Sequence, residues 1–254
     1  LFLGVCHVQD NIVDSFQFMV LSFVFLRVFL VTLMQSLFYK GGLLRDVIGT
    51  TIDDRDYDAE QFDREYNIWP SILMCASEGY LYCLLGIVPD PRTMKWITWE
   101  SLAIMVVTHV LPVELLYYWA HRIMHEYPGL YAAVHKHHHL SIVPTPKSAV
   151  CFDMWEHVFY DLLFGIPGLM CLMLGHATLF SSVLYGPLVD LANTVIHTNL
   201  EIFPQWYMDS PFYYLFYCPT YHHVHHKYFK YNYALFMPMY DMMFGTYGEK
   251  FTKK

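Results

Sequence analysis

Apolar residues gather into five long runs, 12–38, 70–88, 101–120, 158–174 and 177–196, with polar segments between them. A bilayer's hydrocarbon core, ~30 Å thick, takes about 20 mostly apolar residues as helix, so each run predicts a membrane-crossing helix. Ionisable groups interrupt the first three: Arg27, Glu78, and His109 with Glu114. Groups of that kind inside a membrane usually face the protein interior. As the core of a soluble protein, five such helices in 254 residues would leave too little polar surface to cover them. The composition agrees, at 56% hydrophobic and only 15% charged residues with a positive mean hydropathy, against roughly a quarter charged in ordinary globular domains. The expected fold class is all-α integral membrane, with four to five transmembrane helices in hairpins.

If all five runs cross, residues 39–69, 121–157 and 197–254 lie on one side and hold twelve of the fifteen Lys and Arg residues. The other side holds Arg92 and Lys95, while Arg27 lies within the membrane. Such a bias marks the cytosolic face. The same side receives most of the histidines, which predicts a cytosol-facing, helical, histidine-rich cap. Residues 46–65 carry eight carboxylates and much of the net charge of -8, and they read as a solvated acidic loop. No basic nucleic-acid footprint and no phosphate-cradling glycine loop is present. The six cysteines stand singly, which argues for small core residues over a disulfide framework or a zinc ribbon. No secretory signal is visible, and an opening on Leu1 suggests a true N-terminus further upstream.

The candidate chemistry lies in three motifs. In HRIMH, His121 and His125 stand at i and i+4 and share one helix face. In HKHHH, His135, His138 and His139 stand at i, i+3 and i+4, and His222, His225 and His226 repeat that spacing in HHVHH. His137 and His223 fall between and point elsewhere. His197 is a ninth candidate, with Glu201 or a backbone group as the alternative at its corner. Nine imidazoles are too many for one ion and suit two, each with four or five nitrogens; Zn, Cu, Fe and Ni all accept such ligands. Each ring should pass its second N–H to an acceptor, and Glu114, Glu126, Asp153, Glu156, Asp209 and Asp241 are the carboxylates at hand. His7, His109 and His176 stand alone and read as ordinary polar residues. Two domains are expected, an N-terminal helix with its acidic loop over 1–69 and a di-metal membrane domain over 70–254.

The order H-x-x-x-H, H-x-x-H-H, H-x-x-H-H between paired spans resembles the fatty acid hydroxylase / sterol desaturase superfamily of membrane di-iron enzymes. The stretches PVELLYYWAHRIMHEYPGLYAAVHKHHHLSIVPTPKS, WEHVFYDLLFGIP and CPTYHHVHHKYFKYNYALFMPMYDMMFGT are similar to the N-terminal membrane module of plant ECERIFERUM-type aldehyde decarbonylases. Three features depart from the pattern. Glu201 stands where many members have a further histidine, Phe152 and Asp153 stand where relatives often have His-Pro, and the plant enzymes continue into a long C-terminal domain whereas this sequence stops at Lys254.

The resemblance implies that His121, His125, His135, His138, His139, His197, His222, His225 and His226 bind two iron ions, with zinc able to take their place in a purified sample. It implies dioxygen as co-substrate, a lipid substrate (fatty acyl, fatty aldehyde or sterol) and hydroxylation, desaturation or decarbonylation as the reaction. With no haem- or flavin-binding stretch, electrons would come from a partner such as cytochrome b5 or a reductase; Lys227, Lys230, Lys250, Lys253 and Lys254 are a candidate docking face, with the positive-inside bias the favoured reading of them. The family's membrane is the endoplasmic reticulum, with mitochondrial and plastid membranes as alternatives. The alternative function is a structural subunit of a larger membrane complex that retains the di-metal scaffold.

Overall fold

The computed structural model describes residues 24–39, 42–45, 47–56, 58–67, 69–84 and 93–248. Cys6, His7, Arg92, Lys250, Lys253, Lys254, the start of the first apolar run and the end of the second lie outside them. The described chain is almost wholly helical. Its main helices are α1 (Val24–Phe38), α2 (Ala59–Tyr66), α3 (Trp69–Leu84), α4 (Trp99–Glu126), α5 (residues 128–139), α6 (Met154–Met173), α7 (Phe180–Ile196), α8 (Pro219–Tyr228) and α9 (Met239–Met243).

Two of these helices are long and apolar enough to cross a membrane, α4 with 28 residues and α6 with 20, while α1 and α7 are shorter apolar helices. At 1.5 Å per residue, 20 residues reach about 30 Å, one hydrocarbon thickness. Val106, Val107, Leu111, Leu116 and Ile123 of α4 and Leu162, Leu169 and Met173 of α6 are exposed, whereas their opposite faces are buried. A helix apolar on its exposed side is matched to acyl chains rather than water, and the chain is membrane-associated on this ground.

Two local features aim α4. Thr98 and Ser101 form a reciprocal capping box at its start. Pro112, with no N–H to give, sits in a five-residue π-helical turn, His109–Val113. Below that turn, fully buried Glu114 accepts the backbone N–H of Phe236 at 3.1 Å and of Met237 at 3.4 Å, tying the helix to the C-terminal segment.

Most described carboxylates of the acidic segment are exposed, as expected of a solvated loop, but Asp53 and Glu65 are drawn inward. Asp58 caps α2 by accepting the N–H of Gln61 at 2.7 Å. Glu65 is 5% exposed and accepts from Gln61, Ser141 and Thr145. Thr50–Thr51 pairs antiparallel with Leu200–Glu201, Thr50 opposite Glu201. Gly49 makes that pairing possible, because its φ is +84° and a Cβ there would lie 2.5 Å from the Glu201 carbonyl. Beyond the pair, Asp53 and Asn199 exchange two hydrogen bonds, at 2.9 and 2.6 Å. The segment is thus a strap across the histidine-rich end. The alternation of charge in its sequence carries no hint of this, because its partners are about 80 to 150 residues away.

Candidate metal centre

His121 and His125 lie in the last turns of α4, His135, His138 and His139 at the end of α5, His197 just past α7, and His222, His225 and His226 on α8. These ends meet. One group brings together His121, His125, His135, His139 and His225, and a second brings His138, His197, His222 and His226; in each the ligand-capable atoms lie within 4.8 Å of one another. The groups abut, with the rings of His139 and His226 4.5 Å apart. Every one of these residues except His125 is at most 4% exposed.

The spacing within each group is that of ligands around an ion. In the first, Nε2 of His135 is 2.9 Å from Nε2 of His121 and 2.9 Å from Nε2 of His139, which is 3.0 Å from Nε2 of His225. In the second, the His222 Nε2 lies 3.0 Å from that of His197 and 3.1 Å from that of His226, and the His197–His138 separation is 3.4 Å. Two nitrogens each about 2.1 Å from one ion are about 3.0 Å apart at a right angle and about 3.4 Å apart at the tetrahedral angle.

The outer ring nitrogens decide whether these approaches are hydrogen bonds. Nδ1–H of His121 donates to the Tyr233 carbonyl at 2.7 Å, that of His225 to Tyr231 at 2.8 Å, that of His226 to Ser141 at 3.0 Å and that of His197 to Asn193 at 2.7 Å. His135 donates its Nδ1–H to the Glu156 carboxylate at 2.6 Å. A neutral imidazole has one N–H, so where Nδ1 carries it, Nε2 is a bare lone pair. His121 and His135 then face each other lone pair to lone pair at 2.9 Å, a repulsive contact that a cation between them makes attractive. The same holds for His197 with His222 and for His222 with His226 unless His222 supplies the proton.

Burial also keeps the rings neutral. It pushes His135, His138, His139, His222 and His226 well below the usual histidine range, His225 down to about 4 and His197 down to about 3. Neutral rings with fixed lone pairs are what an ion takes.

The ring partners differ from those expected, since of the six carboxylates only Glu156 takes an N–H from one of the nine clustered rings. Glu126 pairs with Arg122, Asp209 accepts from Gln205, and Glu114 holds backbone. Asp241 accepts from the N–H of Tyr233 at 2.8 Å and of Ala234 at 2.7 Å, and from the hydroxyls of Thr246 and Tyr221. It therefore positions the loop whose carbonyls at Tyr231 and Tyr233 hold two histidines. Phe229 and Asn232 bend that loop through positive φ, 61° at each. Asn232 is the residue type that tolerates this, and its side chain binds the Tyr221 carbonyl and the Gly248 N–H.

Glu201 takes no corner of the site. Its carboxylate accepts the N–H of Thr220 at 3.1 Å and of Phe203 at 2.9 Å, capping α8, which begins at Pro219 with no cap of its own. His137 and His223 point away from both groups, His137 towards Cys151 and His223 towards Asp53 at 3.4 Å. His157 contacts Arg27 and Asp161. Of the aromatic residues near the motifs, Tyr117 lies against His121, ring to ring at 5.2 Å, and stacks on Tyr160, whose hydroxyl donates to Glu156. Trp155 is exposed.

Comparison with known proteins adds ancestry to geometry. The fatty acid hydroxylase family model matches residues 106–246, from mid α4 to beyond α9. Very-long-chain aldehyde decarbonylase GL1-7 of Oryza sativa subsp. japonica is 38% identical over 198 residues, 77% of this chain and 31% of that protein. Very-long-chain aldehyde decarbonylase CER1 of Arabidopsis thaliana is 34% identical over 241 residues, 93% of this chain and 37% of that protein. The chain therefore spans about a third of the length of these relatives. No solved structure matches it. With all nine clustered histidines inside the matched span, the chain belongs to the fatty acid hydroxylase family.

Proposed function

We propose that this chain is the di-iron module of a membrane oxidoreductase that uses dioxygen to oxidise a lipid. His121, His125, His135, His139 and His225 would hold one ion, and His138, His197, His222 and His226 the other. The observation that carries this is the lone-pair contact of His121 with His135, both committed through Nδ1 to acceptors. Iron bound there would supply dioxygen activation and the one-electron chemistry that an unactivated carbon requires.

The chain's own residues supply the rest. Backbone carbonyls and Glu156 fix the tautomers. Buried Tyr117 and Tyr160 and half-buried Phe152 lie over the histidines and limit the access of water. A cavity of about 20 Å³ reaches His138 and His197, and it is walled by Tyr117, Tyr160, Val189 and Leu235 among others. The names of the relatives favour a very-long-chain aldehyde as substrate, with fatty acyl chains and sterols as the wider class. Four to five spans with the histidine cap facing the cytosol, residence in the endoplasmic reticulum and electrons from a cytochrome b5 or a reductase complete the proposal.

The test is the full chain produced in a membrane host. Iron equal to the two groups, together with an oxidised or shortened lipid absent from the host, supports the reading. Protein without iron, or an unchanged lipid profile, overturns it.

A further inference from the structure

The cavity of about 20 Å³ against His138 and His197 is too small for a lipid; it holds about one water. A chamber of about 380 Å³ lies beside it, among α1, α2 and the segments flanking α5 and α6, in the range of ligand sites. Val28, Val31, Pro70 and Val150 line one part of the chamber, and Arg64, Glu65 and Lys147 another. Among the described residues only Arg27, Phe152 and His157 line both cavities. Between the two spaces, therefore, the described chain places a wall one residue thick.

The three members of that wall are held very differently. Arg27 grips Asp190 of α7 through two bonds, 2.6 and 2.9 Å, with both side chains nearly buried, and its third nitrogen lies 3.3 Å from Nε2 of His157. His157 also stands 3.3 Å from Asp161. Arg27 is fixed by charge in a poorly solvated place, where moving it leaves Asp190 without its counter-ion, and His157 packs beside that pair. Phe152 is held by ring contacts alone, 5.1 Å from His138, 5.3 Å from Tyr160 and 6.2 Å from His157 between centroids. It sits in the irregular stretch before α6, with no helix to fix its backbone. A ring held by dispersion can swing at far lower cost than a paired guanidinium.

Resting on the reading of the histidine groups as a lipid-oxidising centre, we propose that Phe152 is the specificity-determining partition of this enzyme. The substrate's chain lies in the chamber, and its reacting end passes into the small cavity only as the Phe152 ring turns aside. Arg27, Asp190 and His157 form the fixed jamb against which that ring closes. The size of residue 152 then sets how much of the substrate reaches His138 and His197.

A long-chain fatty alcohol carrying a photoreactive diazirine next to its hydroxyl tests this on the full chain in lipid nanodiscs, with and without iron. Mass spectrometry reads the ratio of labelling at Val189 and Leu235, in the small cavity, to labelling at Val31 and Val150, in the chamber. Phe152→Ala is expected to raise that ratio severalfold and Phe152→Trp to lower it, in metal-free and iron-loaded protein alike. A ratio indifferent to residue 152 overturns the proposal, as does probe found in neither space. Iron content reports whether each variant has folded, and Phe152→Leu replaces the alanine variant if that one loses iron. A ratio that follows residue 152 in a chain that oxidises no lipid sinks the functional reading and keeps the partition. Lipid oxidation with an indifferent ratio sinks only the partition.

Discussion

Glu156→Gln separates the two ion sites. Glu156 and His135 are both buried, and the carboxylate accepts the ring's Nδ1–H at 2.6 Å while also receiving the Tyr160 hydroxyl at 2.9 Å. Glutamine keeps the shape: its carbonyl oxygen can take both hydrogen bonds, and its amide would fill the position of Oε2, which has no protein partner. The charge goes, and with it the carboxylate's pull on the ring proton that makes Nε2 a stronger donor. Losing such an outer partner costs about 10–100-fold in metal affinity, or about 1.4–2.7 kcal/mol. The loss should fall on the five-histidine group containing His135 and leave the four-histidine group as it was. Stepwise competition with a chelator, followed by metal analysis, resolves the two releases: in the variant one ion leaves at about 10–100-fold lower chelator and the other as in the parent protein. The reasoning is refuted if both ions leave at unchanged chelator, or if the weakened ion belongs to the group without His135.

Glu201→Ala should lower stability by about 1–2 kcal/mol, the cost of a lost helix cap, with metal content unchanged; loss of an ion would make Glu201 a ligand after all. Arg27→Gln deprives Asp190 of its guanidinium in a site where the paired side chains are 11% and 13% exposed. Thermal unfolding should register about 3 kcal/mol, the lower end of the cost of breaking a buried pair, and replacing both residues by leucine should recover most of it. Acid should destabilise the metal-free chain through its buried imidazoles. His197 and His225, held down to about 3 and about 4, refuse protons that an unfolded histidine takes below ~6.5. Their contribution is complete above that value and is lost as pH falls towards 4 and 3, at about 1.4 kcal/mol per group by a pH of about 5.5. A melting temperature flat from about pH 7.5 to 5.5 would contradict it.

The histidine positions were legible because a helix turns spacing into direction: His222, His225 and His226 share a face wherever α8 lies. Their partition into five and four was not, since it depends on how α4, α5, α7 and α8 meet, and neighbours in sequence such as His138 and His139 fall in different groups. Their outer partners were misjudged for a related reason. Sequence displays carboxylates, but four of the rings donate to backbone carbonyls, at Ser141, Asn193, Tyr231 and Tyr233, whose direction is set by chain path. Asp241 acts one step further out, on the amides of that path. Apolar runs located α4, α6 and α7 to within a few residues apart from the last turns of α4, because a continuous apolar stretch is visible in sequence whatever covers it. In residues 46–65 the solvated reading holds for most described carboxylates but not for Glu65, because a run of carboxylates does not show in sequence which one Gln61, Ser141 and Thr145 fold around.

The central claim is that the nine imidazoles surround a pair of ions, and iron-edge X-ray absorption on quantified protein tests it most directly. Two irons per chain, each with a first shell of imidazole nitrogen at about 2.1 Å and a second iron scatterer nearby, is the result expected from the two abutting groups. A single ion, or a first shell dominated by carboxylate or thiolate, would contradict it.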